Sequence, residues 1–504
     1  MNPCHTTAGL LRAGVAILTM ATGVTGQAAA TPEAAHQQYR VVVLPVDGGT
    51  DSYLAGYLNF APLNNRGTIG VSADTGNPAV ANSYTSTAGV QTDLQPLPSS
   101  PGRSGNNTYI NWINQWGLSA GFATQTDTNT GASADSPVVW TPGGEIIDLK
   151  PKNSGVGRAV WVNNFGQVSG WLSSSTPDAC SFGVGANFAQ TEAFVWQFGF
   201  LQRLGTLGGS ESYGEFINDR GQVSGHSQTS NTPDSVTGCP PYDPFIWENG
   251  RMIDINPGDF GGAQGGTNFL NNRGQAVGFG TTAGEAGADP FLWQSGVLTN
   301  LNSIGTLGAG VGSAYNVNNE GHVVGINLTT QGEEHAVLWR EDKFTDLSTL
   351  SGYDCSSPAG INGRDQIVGF SFSCETGAAH AFLWENGEML DLNTLVPGDV
   401  GIELQYAAWI NEEGMIAAQG VLTTGSHQGD TRAVLLIPSG PCDPGVQAAK
   451  AAALQSMAAA RQSAITVAPR AGALFRGPDG RVNAVFLKPV SLAVLRSQIQ
   501  KQSE

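Results

Sequence analysis

The sequence predicts an all-β protein, a β-propeller of about eight four-stranded blades followed by a short, partly helical C-terminal tail. Two recurring phrases and the two ends of the repeat region predict it. The first phrase is an apolar run closing on Trp, as in His380-Ala381-Phe382-Leu383-Trp384, and variants of it end at Trp140, Trp196, Trp247, Trp293 and Trp339. The second is an apolar residue, an Asn, two variable residues and usually a Gly, as in Ile217-Asn218-Asp219-Arg220-Gly221. Both recur together, and self-similarity at a fixed period sets the architecture.

The Asn phrase occurs at Asn64, Asn114, Asn163, Asn218, Asn271, Asn318, Asn362 and Asn411, with spacings of 44 to 55 residues. A β-forming residue precedes each Asn, and Asn and Gly tolerate the positive φ of a tight turn, so each copy reads as strand, turn, strand. Asp365 replaces the Gly in the seventh copy. The Trp phrase reads as a second hairpin: an apolar strand, a turn such as Glu385-Asn386-Gly387, and a short strand ending at Asp391-Leu392. Two hairpins per period make four antiparallel strands, the unit of a propeller blade. A stack of solenoid coils would need shorter and more uniform coils.

The ends of the repeat region predict ring closure. The last unit supplies three strands, 408–410, 415–418 and 433–437, and then stops. An orphan Val-rich strand, Val41–Leu44, precedes the first Asn phrase, and pairing it beside 433–437 removes two open sheet edges. Seven blades is the alternative, if the first unit, with Ser86 in the Trp position, forms no blade of its own.

Outside the repeats, residues 1–30 read as a signal peptide: Arg12, a soft apolar run from Ala13 to Val24, and Ala28-Ala29-Ala30 as the cleavage site. This run is too short to cross a bilayer, and no other segment is apolar enough to do so. Residues 441–504 form a tail with eight basic and three acidic residues, whereas the whole chain carries -18, leaving -24 on residues 31–440. That balance argues against nucleic acid as a partner, because such binding rests on Lys and Arg at phosphates.

The repeated His/Pro-Ala-Phe-Leu-Trp-Glu-Asn-Gly phrase, with Thr206-Leu207-Gly208-Gly209-Ser210 and Ile217-Asn218-x-x-Gly221-Gln222-Val223-x-Gly225, resembles the HAF-repeat family of extracellular bacterial proteins. The resemblance covers roughly residues 40–440 and implies secretion and a repeat β-architecture. It brings no catalytic residues. The His is lost from most copies, and the Thr-Leu-Gly-Gly phrase is complete only at 206–209.

The Trp series reads as packing between blades. The recurring Asp of Asp-Leu, at Asp93, Asp148, Asp254, Asp346 and Asp391, reads as a strand-end acceptor of backbone hydrogen bonds. His335 and His380 occupy matching places, but no third ligand at metal-binding spacing accompanies them, so neither metal nor other cofactor is expected. There is no nucleophile elbow, phosphate loop or calcium loop. The expectation is a secreted binding or scaffold module for glycan, envelope polymer or protein. The alternative is a propeller enzyme, a hydrolase or lyase acting on polysaccharide.

Two disulfides are expected in this oxidising context. Cys355 and Cys374 flank one Asn turn, and Cys180 and Cys239 lie in equivalent long loops of consecutive units, leaving Cys442 over. Both tight turns of a blade fall on one face, which is therefore expected to be nearly invariant. Extra length concentrates in second-to-third loops of units two to four, around 123–136, 172–192 and 226–243. Long loops on a rigid scaffold are where binding resides. Phe182, Asn187, Phe188, His226, Tyr242 and Asp243 are accordingly the expected ligand-binding residues.

Overall fold

The computed structural model describes residues 36–439, apart from 57–59, 77–80, 152–153, 179, 181–188 and 256–259. The expected signal segment, residues 441–504 and with them Cys442 lie outside these residues. Eight four-stranded antiparallel blades follow one another, spanning 52–93, 103–148, 157–203, 212–254, 261–300, 308–348, 355–391 and 402–438. Blade 1 is complete, with Ser86 buried in the Trp position. In blade 8 the fourth strand is Tyr39–Val43, which pairs with Thr431–Pro438 in the register Val41↔Leu436 and Val43↔Val434. The ring is closed by the first strand of the described residues.

The first strand of each blade is innermost, and the Asn turn joins it to the second. Each turn Asn points its Oδ1 back at its own turn: that of Asn218 accepts from the backbone N–H groups of Arg220 and Gln222, 3.0 Å each. Its Nδ2 leaves the blade and donates to the carbonyl of Asn271, the turn Asn of the next blade. The same bond joins Asn64 to Asn114, Asn114 to Asn163, Asn163 to Asn218, Asn271 to Asn318, Asn318 to Asn362 and Asn362 to Asn411. Asn411 completes the set by donating to Asn64, so eight bonds of 2.8–3.1 Å form an unbroken circle of buried amides. This explains why Asn, and not merely a turn former, stands there. Only a short amide offers an acceptor to its own turn and a donor to the neighbour.

A second circle lies beside it. The N–H of the residue after each Asn meets a side-chain acceptor on the next blade, as Gln115 does to Asn164 Oδ1 at 3.0 Å and Glu412 to Asn65 Oδ1 at 3.1 Å. It breaks at Asn319, whose neighbour in blade 7 is Gly363, a residue without a side chain. Asp365, in the Gly place of that blade, adopts φ 58° and keeps the turn bond to Asn362. Its carboxylate earns the exception by accepting from Asn318 Nδ2 and contacting His322 Nδ1 at 2.6 Å.

Inside the circle the channel is filled. In seven blades a register shift occurs just before the turn, between Ala159 and Trp161 in blade 3 for example. A bulge of this kind re-aims the residue after it. Trp112, Trp161, Phe216, Phe269 and Trp409, each two residues before its Asn, pack together with Phe60 at their centre. Phe60 lies 5.5–6.3 Å from the rings of Trp161, Phe216, Phe269 and Trp409, and Trp112 stacks on Trp161. Pro62, Asn316 and Gly360 hold this place in the other blades and leave room for the rings.

The Trp series is core, as its apolar flanks predict: Trp140, Trp247, Trp293, Trp339 and Trp384 are buried, and Trp196, half-buried, packs against the core. The Asp of Asp-Leu caps the following turn, as Asp391 Oδ1 does by accepting from Asn393 N at 2.9 Å. It also has a partner that the sequence reading missed. His380 Nδ1 lies 2.8 Å from Asp391 and His335 Nδ1 3.1 Å from Asp346, across the third and fourth strands. Arg203 to Glu192 and Asn300 to Asp289 are the same cross-strand pair in blades 3 and 5. The signal was a constant offset of 11 residues in the sequence.

Candidate binding site on the loop face

Both expected disulfides form, each with its Cα atoms 5.6 Å apart. Cys355 begins the first strand of blade 7 and faces Cys374 beyond the end of the second. Cys180 and Cys239 staple the loop after Val168–Pro177 of blade 3 to the loop that precedes Tyr242–Glu248 of blade 4. The loop expected at 123–136 is not a loop. In blade 2 the extra residues lengthen the hairpin, pairing Ala123 with Ser136 and Thr126 with Ser133, and leave a short turn at 128–132. Alternating Thr, Ser and Gln side chains suit such a protruding hairpin better than an irregular excursion.

Phe182, Asn187 and Phe188 lie outside the described residues. His226 and Tyr242 meet. His226 sits in the second strand of blade 4, Val223–Gln228, and Tyr242 opens the third, so the two approach at the end of the hairpin nearest the long loops. Their rings lie 5.5 Å apart. On its other side His226 stacks on Tyr213, 5.4 Å away and nearly parallel, and Tyr213 in turn stacks on Trp171 of blade 3. Tyr242 OH donates to Gln264 Oε1 of blade 5 at 3.3 Å. A row of four rings thus crosses from blade 3 into blade 4 and ends against blade 5.

Asp243 does not join them. Successive strand residues face opposite sides of a sheet, and Asp243 pairs with Ser227 where Tyr242 pairs with Gln228, so its carboxylate lies on the other side. There it occupies the position of Glu192, Asp289, His335 and His380, with Asp254 in the partner position. Blades 3, 5, 6 and 7 place complementary groups in these two positions, whereas blade 4 places two carboxylates. Burial, and then the charge of Asp254, push the Asp243 carboxyl up to about 7.

Glu215 was missed. It is a buried carboxylate in the innermost strand of blade 4, Ser212–Ile217, where other blades carry Asn111, Val160, Asn268, Tyr315, Ala359 or Ala408. A charged residue inside Tyr213-Gly214-Glu215-Phe216-Ile217 was the available signal. Its Oε2 accepts from Thr267 Oγ1 at 3.3 Å, and its Oε1 lies 3.6 Å from His226 Nδ1. Burial drives His226 down to about 4, with the Glu215 carboxylate 3.6 Å away. Trp171 and Tyr213 are buried, so the row meets the surface only at the half-buried His226 and Tyr242, beside the end of the long loop of blade 4. The other cluster of donor atoms among the described residues, Asp354 with Cys355 and Cys374, has its sulfur atoms joined in a disulfide and provides no thiolates for a metal.

No protein-family model and no curated protein matches the sequence. Among solved structures, the chain is similar to an acylaminoacyl peptidase of Pyrococcus horikoshii at 10% identity and a TM-score of 0.36, over 72% of this chain and 58% of that one. It is similar to a prolyl endopeptidase at 10% identity and a TM-score of 0.42, over 76% of this chain and 54% of the other, little more than half of that enzyme. It is also similar to YCF48, solved bound to D1 peptide, at 10% identity and a TM-score of 0.38, over 82% of this chain and 99% of that one. The described residues form an all-β propeller whose eight blades close on the strand Tyr39–Val43.

Proposed function

We propose that the protein is a secreted binding module that takes a glycan, envelope polymer or protein ligand on the loop face of blades 3 and 4. One observation carries this reading: the loop of blade 4 between Val223–Gln228 and Tyr242–Glu248, stapled through Cys239 to Cys180 of blade 3, runs directly into Tyr242, whose ring meets His226. The aromatic plug fills the channel beside the Asn turns, which favours binding determinants on the loops. The two disulfides belong to an oxidising compartment, in keeping with secretion. Deleting 176–188 and 230–241 together, and measuring saturable binding to a panel of glycans, tests it. Loss of binding with the thermal midpoint retained is the expected result; unchanged binding overturns the site.

A second reading, a polysaccharide hydrolase or lyase, is favoured by Asp243 alone. Its carboxyl, raised to about 7, is poised to hold a proton near neutral pH. Product release from a polysaccharide panel that disappears in Asp243→Asn would establish it; binding without product would leave the module reading.

A further inference from the structure

The face carrying the two tight turns is uniform in backbone, as the sequence predicts, but not in side chains. Two residues after the turn Asn, blades 1 to 5 present Arg66, Trp116, Phe165, Arg220 and Arg273. Trp116 is 60% exposed and Phe165 63%, and the other tight turn of blade 3 adds Phe198 at 77% and Phe200 at 83%. These are the four exposed Trp and Phe side chains of the described residues, and all four lie on adjacent blades. Phe198 occupies a left-handed conformation, φ 49°, where the equivalent turns place Ala88, Asn249, Ser295, Glu341 or Asn386. A bulky residue is disfavoured there.

The rings are held. Trp116 Nε1 donates to the carbonyl of Asn164 at 3.1 Å, which lays the indole towards blade 3, and the Arg66 guanidinium lies 4.8 Å from its centre. Gln197 Nε2 donates to the carbonyl of Phe165 at 3.3 Å, tying the two turns of blade 3 together. The nearby carboxylate, Asp219, accepts from Asn164 N, Asn164 Nδ2 and Asn272 Nδ2. Gln115 spends its Oε1 on Asn65 N, so its NH2 end remains as a donor.

Charge selects the partner. The -18 of the chain repels a polyanion, while arginines on both sides of the rings repel a cationic segment. The face consists of turns whose donors are satisfied within the amide circles, so a peptide finds no strand edge to pair with. What remains is a neutral polyol with apolar ring faces. We propose that Trp116, Phe165 and the Phe198 turn form a second binding surface for a neutral β-linked polysaccharide. Its sugar rings lie on the aromatic side chains, and its hydroxyl oxygens accept from Arg66, Gln115 and Arg220. This surface is opposite to the loop face and independent of it.

The test is titration of the intact protein with cellohexaose, chitohexaose and polygalacturonate, followed by tryptophan fluorescence and calorimetry. Saturable binding of one neutral hexasaccharide is expected, weakened at least tenfold by Trp116→Ala and by Phe165→Ala and unaffected by deletion of the loops around Cys180 and Cys239. Thermal midpoints are compared alongside; Phe198→Ala, at the tip of an exposed turn, provides a further variant if either of the others unfolds. Failure to bind both neutral sugars, or binding that all three variants retain, overturns the proposal. Tighter binding of polygalacturonate than of either neutral sugar overturns it in favour of an acidic polymer.

Discussion

Asn411 Nδ2 donates to the carbonyl of Asn64 at 2.9 Å, across 347 residues of chain, and this bond closes the circle that seven others leave open. Beside it the strand Tyr39–Val43 completes blade 8, so backbone and side chain close the ring at the same place. Asn411→Ala leaves the Asn64 carbonyl and the Met415 N–H without these partners in a buried site. A loss of about 2–3 kcal/mol follows from the desolvation of unsatisfied groups. Chemical denaturation of Asn411→Ala measures it, and a loss no larger than that of an exposed Ala substitution would show the circle to be incidental.

Phe60 is the centre of the channel plug. Phe60→Ala opens a cavity between Trp161, Phe216, Phe269 and Trp409. The expected cost is about 3–5 kcal/mol, the range for truncating a packed Phe. Denaturation midpoints read it directly, and Phe60→Leu should recover more than half.

The His–Asp pairs make stability depend on pH. The hydrogen bond to Asp346 raises His335, and that to Asp391 raises His380, against the downward pull of burial. Asp391, despite the upward pull of burial, is held below its ordinary range by the bond from His380. A raised histidine binds its proton more tightly when folded. Its contribution is therefore full below the ordinary histidine value and is lost as pH rises through the raised one. Denaturation midpoints should fall from pH 6 to 9 in the native protein, and the fall should be smaller in His335→Phe/His380→Phe.

Asp243 works in the same direction from a different cause. Its carboxyl is raised to about 7 by burial and Asp254, so the folded state prefers it protonated. Stability from this group is full below pH ~4, the ordinary Asp value, and is lost as pH rises through about 7. Asp243→Asn should stabilise the protein at pH 8 relative to the parent and narrow the difference at pH 5. An equal shift at both pH values would contradict it.

Peptide mapping without reduction should recover Cys180 linked to Cys239 and Cys355 linked to Cys374. Replacing either pair by Ser should cost about 2–4 kcal/mol, as removal of a loop-closing bond does. Cys180→Ser/Cys239→Ser should in addition increase proteolysis in the two loops that this bond joins, within the third and fourth blades, while leaving the other blades protected.

Blade number, turn positions, closure and both disulfides were legible because each depends on local chemistry or on counting. Asn-x-x-Gly makes a turn wherever it stands, and an orphan strand at one end matches a vacancy at the other. The candidate site was only partly legible. His226 and Tyr242 meet, but Asp243 faces the other way, because a loop-length argument takes no account of the alternation of side chains along a strand. The exposed Trp116 and Phe165 are not legible from turn length for a related reason: turns of equal length can carry different side chains.

The sequence by itself determined the units of this protein, since the period of its turns and apolar strands dictates a four-stranded blade and its repetition. Only the tertiary structure decided what the units do to one another. The amide circle joins residues 44 or more apart, and the aromatic plug depends on a one-residue bulge that turns Trp161 and its equivalents inward. Neither is encoded in a single repeat. Both arise where eight copies meet, because a side chain acquires a partner only once the neighbouring blade is in place.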